Sequence, residues 1–283
     1  MSTVHQLSHD ELDAVLGSIE IPPCPAVVTE VMAEAQKDAP DMKVLSRIIA
    51  SDVGMSAFAI KLANSPLFRR GEAANSVAQA VARLGTRNIV CIVVAVALRN
   101  ALSGDLPADI LEGFWNQAGT TAMAAGITAR KLRGIQPDTA YTYGLFHNAA
   151  VPVMMRRFKD YRALMDQAAR DGFILAQEEN RRYHCSHAVV GGLLARNWGL
   201  PATIANAIRH HHEPDLYGPA RPYLDDASLA LVAVTQVAEH LLADNLGQAN
   251  PECEASFEPA VAYLGLSEDD IHDLQEAFAN LQS

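Results

Sequence analysis

Apolar residues recur along most of this chain at three-and-four spacing, the period of helices that each bury one face. Ser8-His9-Asp10-Glu11 has the form of a capping box, and Leu12, Val15, Leu16 and Ile19 continue from it as one apolar stripe. Pro22, Pro23 and Pro25 end that helix and impose an extended entry into the next. Five helical segments follow, near Ala26–Gln36, Met42–Ser51, Val53–Ala63, Ser76–Leu84 and Arg87–Leu102. The fifth is apolar on every side and is expected at the centre of the protein. Ser103-Gly104-Asp105-Leu106-Pro107 breaks the pattern and marks a boundary. Beyond it the periodicity predicts helices near Asp109–Arg133, Pro137–Phe158, Tyr161–Asp171, His187–Trp198, Ala202–His212 and Asp226–Asp244. A short helix is expected after Asn250, and Ser267-x-x-Asp270 caps a last one. The fold class predicted is all-α.

Composition narrows the function classes. Hydrophobic residues make up 49% of the 283 positions and charged residues 19%, enough apolar material for a sizeable core. The longest unbroken apolar run, Ile89 to Leu98, falls well short of the roughly 20 residues of a membrane span. A formal charge of −11 disfavours nucleic acid and anionic lipid as partners. The beginning of the sequence lacks a basic, apolar leader, and Cys24, Cys91, Cys185 and Cys253 form no C-x-x-C pair. The expectation is a cytoplasmic protein with reduced thiols and no membrane association.

Candidate chemistry lies in three segments. Between Tyr141 and Met155 no side chain is formally charged, yet His147 and Asn148 sit in the middle. Polar groups in such a setting must be hydrogen-bonded or ligate something, since an unpaired one costs about 1–3 kcal/mol. Pro152 has no N–H for the carbonyl of Asn148, which leaves that oxygen open to a ligand or water. His187 shares an inward stripe with Val190, Leu194 and Trp198. His211 aligns with Ile204 and Ile208, His212 lies beside it, and His210 points away. A core histidine satisfied by a neighbour explains any one of these. Three inward positions on three helices make a metal site of neutral imidazoles a fair hypothesis. Arg69 and Arg70 are a weaker candidate contact for an anion or partner, and the other short basic runs are expected to be solvated.

Ile21-Pro22-Pro23-Cys24-Pro25, Leu62-Ala63-Asn64-Ser65-Pro66, Ala80-Val81-Ala82-Arg83-Leu84-Gly85, Gly144-Leu145-Phe146-His147-Asn148 and Trp198-Gly199-Leu200-Pro201 together resemble the signature stretches of the HDOD domain. That domain is a bacterial signalling output module related to the HD and HD-GYP phosphohydrolases. The resemblance implies an N-terminal helical subdomain packed on a degenerate HD-type helical domain. The division expected is a capping helix at 1–20, the N-terminal half at 21–104, the HD-like half at 105–245 and a helical extension at 246–283.

In catalytic relatives, His and Asp ligands hold two metals that activate water against a phosphoester. The resemblance matches His147 to the HD histidine but puts Asn148 where the bridging Asp belongs. Gln117 falls where the first histidine belongs. His187 matches the middle histidine, His211 and His212 the His-His pair, and Glu239 falls near the closing Asp. Asn148 is uncharged, and Gln117 offers an amide oxygen in place of an imidazole nitrogen. No catalytic residues are therefore expected. The limit is one divalent ion, iron, manganese or zinc, held by His187, His211 or His212 with Asn148. The function implied is a non-catalytic signalling module that contacts other signalling proteins or a small regulatory ligand. The alternative is a metal-dependent phosphohydrolase acting on a nucleotide or cyclic dinucleotide.

Overall fold

The computed structural model describes residues 19–102, 106–213, 215–218, 224–247, 251–279 and 281. Most of the expected capping helix at 8–19 lies outside these residues. Among the described residues there are fourteen helices and no strand. They are α1 (Ala26–Ala35), α2 (Met42–Ala50), α3 (Val53–Ala63), α4 (Val77–Leu102), α5 (Ala108–Arg130), α6 (Pro137–Phe146), α7 (Val151–Arg157), α8 (Tyr161–Asp171), α9 (Leu175–Tyr183), α10 (His187–Asn197), α11 (Ala202–His210), α12 (Asp226–Asn245), α13 (Pro251–Leu264) and α14 (Glu268–Ala279).

Two long helices organise the packing. α4 gathers α1, α2 and α3 around it and also touches α6. Its second part buries Ile89, Cys91 to Ala95, Ala97 and Leu98, so the segment that is apolar all round does lie inside. Gly85 interrupts α4 at φ 73°, ψ 170°, a conformation open to glycine and strained for other residues. α12 plays the same part further on, packing against α5, α6, α11, α13 and α14. By length and composition α4 and α12 could each cross a membrane, but 61% of the most apolar window of each is buried against the rest of the protein.

Side-chain caps set several helix starts. Asp41, Asp52, Ser186 and Asp225 accept the N–H groups of Lys43, Met55, Val189 and Ser228. Two of the HDOD-like stretches have a structural role. Asn64 exchanges two hydrogen bonds with the backbone of Ala74 at 2.7 and 2.9 Å, and Arg83 donates to the carbonyls of Ala63 and Glu72. Together they fix the loop after α3. The proline-rich entry is fastened to the second half of the molecule: Trp198 Nε1 donates to the Pro22 carbonyl at 2.8 Å, and Arg156 to that of Glu20.

The structure departs from the sequence expectation in two places. The single helix expected over Pro137–Phe158 is broken into α6 and α7 by a turn at 147–150. Because Pro152 cannot donate, the chain tightens: Ala149 N bonds to Phe146 O, and Val151 N to Asn148 O at 2.9 Å. The Asn148 carbonyl is therefore taken by the backbone, not left open. The second departure is α9, Leu175–Tyr183, which the periodicity did not announce.

Candidate metal centre

Each histidine of the site is presented by a helix end. His147 caps the C-terminus of α6, where Gly144 lets α6 approach α5; a Cβ on Gly144 would stand 3.0 Å from the Ala122 Cα. His187 opens α10 directly after its Ser186 cap. His211 and His212 follow the last residue of α11. α10 and α11 pack closely because Gly191 faces Ile208, where a Cβ would meet the Ile208 methyl at 2.8 Å. Glu239 reaches in from the middle of α12.

These residues meet around a cavity of about 220 Å³, lined by His147, Asn148, His187, His211, His212, Gln117 and Glu239 among others. His147, His187 and His211 are buried, each with 6% or less of its surface exposed. The rings of His211 and His212 lie 3.9 Å apart, and those of His147 and His187 each lie 5.5 Å from His211. Nitrogens of His187, His211 and His212 fall within 4.8 Å of one another.

All four imidazoles are anchored through Nδ1. His147 bonds there to the Gly144 carbonyl at 2.8 Å and His211 to the Ile208 carbonyl at 2.7 Å. His187 bonds to the Glu179 carboxylate at 2.8 Å, and His212 to that of Glu252. Carbonyls and ionised carboxylates only accept, so the proton sits on Nδ1 in each ring and Nε2 faces inward. That is the arrangement in which an outer acceptor orients a metal-binding imidazole and raises its basicity. The Nε2 atoms of His187 and His212 are 2.9 Å apart, so two lone pairs meet unless a proton or cation lies between them. His211 Nε2 and Asn148 Oδ1 are buried with no hydrogen-bond partner among the described residues. This donor set fits a metal cation.

Charge is distributed unevenly. Burial disfavours a charged His147, but Glu239 Oε1, 2.9 Å from its Nε2, outweighs burial and raises its pKa. Burial would raise Glu239 in turn, yet His147, His212 and His187 bring it below the usual carboxylate value. His147 Nε2 and Glu239 Oε1 are thus paired, each favouring the charged form of the other. His211 is held neutral, pushed far below the usual histidine value by burial and then by the three neighbouring imidazoles. The Cys253 thiol, on the cavity wall, is driven upward by burial and by Glu239 and Glu252, so it stays protonated.

The structure brings together every histidine-centred candidate of the sequence. Arg69 and Arg70 are exposed on the loop after α3 and do not line the cavity. Two carboxylates escaped sequence reading. Glu179 is fully buried on α9, where it takes hydrogen bonds from Tyr161 Oη and from both His187 N and Nδ1. Glu252 comes from α13. The signal available for Glu179 was its place in the polar run Gln177-Glu178-Glu179-Asn180 eight residues before His187, which is weak.

Comparison with known proteins agrees with this architecture. An uncharacterized protein of Treponema pallidum (strain Nichols) is 26% identical over 207 residues, 71% of this chain, and this chain spans only 40% of its length. A candidate phosphohydrolase from Shewanella amazonensis SB2B superposes with a TM-score of 0.68 at 23% identity, covering 95% of this chain and 94% of its own. An HDOD domain protein of unknown function from Geobacter sulfurreducens gives 0.65 at 20% identity over 97% and 99%. A candidate signal transduction protein from Marinobacter aquaeolei VT8 gives 0.68 at 21% identity, covering 99% of this chain and 60% of its own. At these identities the likeness is one of fold. The model of the HDOD domain matches residues 21–214, more than half of the sequence, and the chain belongs to the HDOD domain family.

Proposed function

We propose that this chain is a non-catalytic HDOD signalling module that keeps its HD-like centre as a binding site for at most one divalent cation. Its output is contact with another signalling protein or a small regulatory ligand, in the cytoplasm. The observation that carries this reading is Asn148, a neutral amide lining the cavity with its oxygen unpartnered among the described residues, where the family resemblance puts the bridging carboxylate. A unit charge about 4 Å from a cation is worth about 4 kcal/mol at an effective dielectric of 20, and an amide forfeits it for each of two ions. His187, His211 and His212 would hold a single iron, manganese or zinc ion, with the Asn148 oxygen as a weak further donor. Such an ion, when bound, supplies positive charge and Lewis acidity at the cavity floor. Four cysteines kept as thiols fit a reducing compartment.

The second reading, a metal-dependent phosphohydrolase acting on a nucleotide or cyclic dinucleotide, is favoured by Glu239, whose carboxylate adds a negative charge inside the cavity. Against it, the described lining includes Glu239 and Glu252 but no lysine or arginine to meet a phosphate. Metal analysis of protein purified without chelator, with a screen of generic phosphodiesters and cyclic dinucleotides, separates the two. One equivalent or less and no turnover are expected. Two equivalents of iron, manganese or zinc, or hydrolysis abolished by His147→Ala, would overturn the proposal.

A further inference from the structure

The matched family region ends at residue 214, whereas the histidine cavity is closed by a later segment. α13 lies along α12 and contributes Glu252, Cys253 and Ser256 to the cavity wall. Tyr263 Oη donates to the Asp226 carbonyl at 3.3 Å, and contacts nearer the cavity add to this. The Glu252 carboxylate accepts a hydrogen bond from His212 Nδ1. A little over one turn further on, Phe257 stacks on His240, the residue next to Glu239, with ring centroids 4.0 Å apart.

We propose that Glu252 is a positioning residue of the cation site and that docking of α13 is coupled to occupancy of the histidine cluster. The proposal rests on the single-cation reading above. Glu252 does for His212 what Glu179 does for His187: each holds the proton on Nδ1 and turns the Nε2 lone pair inward. With both carboxylates in place the two lone pairs face each other at 2.9 Å, and a cation relieves that repulsion. The two anchors differ in what carries them. Glu179 is wholly enclosed between α8 and α10, bonded to Tyr161 and to the His187 backbone. Glu252 rides on a helix outside the matched domain whose only fully enclosed side chain among its described residues is Ala260. Whatever factor a docked α13 adds to cation affinity, the cation adds to the docking of α13. The cavity also continues into a second one of about 490 Å³ that shares Gln117, Thr121, Leu175, Glu239, Glu252 and Cys253. Withdrawal of α13 would open both and bare Leu242 on the wall of the larger one, beside the already exposed Leu246, an output that needs no chemistry.

The test uses the full chain. Zn²⁺ and Mn²⁺ are titrated calorimetrically, and amide hydrogen exchange across 251–264 is followed with and without each ion. Glu252→Gln is expected to weaken cation binding about tenfold or more, while Glu254→Gln, exposed on the same helix, leaves it unchanged. Saturating cation is expected to slow exchange in α13 of the wild type, and to slow it less in Glu252→Gln. Without any cation, Glu252→Gln and His212→Ala should both speed that exchange. Wild-type affinity in Glu252→Gln, or exchange in α13 indifferent to both variants, would overturn the proposal. If the wild type takes up neither ion, the single-cation reading and the coupling fall together, and exchange in the ion-free variants still shows whether Glu252 anchors α13.

Discussion

Replacing Glu179 by glutamine tests the foundation of the histidine cluster. The carboxylate is fully buried and accepts from three donors: Tyr161 Oη, His187 N at 2.9 Å and His187 Nδ1 at 2.8 Å. Glutamine keeps the shape but turns one acceptor oxygen into a donor NH₂, so at least one of the three donors loses its acceptor. A buried donor left unpaired costs about 1–3 kcal/mol, and hydrogen bonds to a charged acceptor are about twice as strong as neutral ones. The expected loss is about 2–4 kcal/mol, which at a urea m-value of about 3 kcal/mol/M moves the unfolding midpoint down by about 1 M. Glu178→Gln is the control, since that carboxylate meets Arg181 at the surface and should cost less than about 1 kcal/mol. The effect also has a pH signature. Burial works to raise the Glu179 pKa, but His187 and Tyr161 outweigh it and bring it below the ordinary 4.5. A depressed carboxylate adds stability above its unfolded pKa and loses it as pH falls through the folded one. The gap between wild type and variant should therefore be full above about pH 5 and close progressively below pH 4.5. A variant that unfolds at the wild-type urea concentration at neutral pH would refute the assignment of Glu179 as an ionised, triply bonded anchor.

Three further outcomes are expected. Asn148→Asp should strengthen binding of one Mn²⁺ or Zn²⁺ by at least about tenfold in calorimetry, because it adds a charge inside the cavity, without producing phosphodiester hydrolysis. Gly144→Ala should lower stability by about 1–3 kcal/mol in thermal unfolding, since its Cβ would stand 3.0 Å from the Ala122 backbone and push α6 off α5. Trp198→Phe should cost about 2 kcal/mol in urea unfolding by stranding the Pro22 carbonyl, while a wild-type midpoint would deny that bond a role.

Much of this architecture can be read along the chain because one-face burial leaves a helical period. Gly85 and the Gly199-Leu200-Pro201 link announce their breaks through backbone chemistry alone. The inward direction of His187 and His211 follows from their apolar companions at helical spacing, and both are buried. What stayed hidden shares one physical cause. α9 is mostly polar, with Glu178, Arg181 and Arg182 toward solvent, so its period is faint, and the one charged residue it buries is stabilised by partners on other helices. Glu179 and Glu252 matter through contacts 8, 18 and 40 residues away in sequence. The turn at 147–150 was concealed for a related reason. Pro152 signals a lost hydrogen bond, but whether the orphaned Asn148 carbonyl meets a ligand or Val151 N is decided by the local tightening of the backbone.

The bond from Trp198 to Pro22 spans 176 residues and has a consequence for the order of assembly during synthesis. Ribosomes add about 5–20 residues per second, so the prolines near the start wait roughly 10–35 s before the indole that will hold them has been made. The first helices can gather around α4 in that interval, but their leading edge is secured only after most of the polypeptide has emerged. Translation stalled anywhere before α7, which brings Arg156 to the Glu20 carbonyl, would therefore leave the Glu20–Pro22 segment of the nascent chain untethered and within reach of chaperones and proteases.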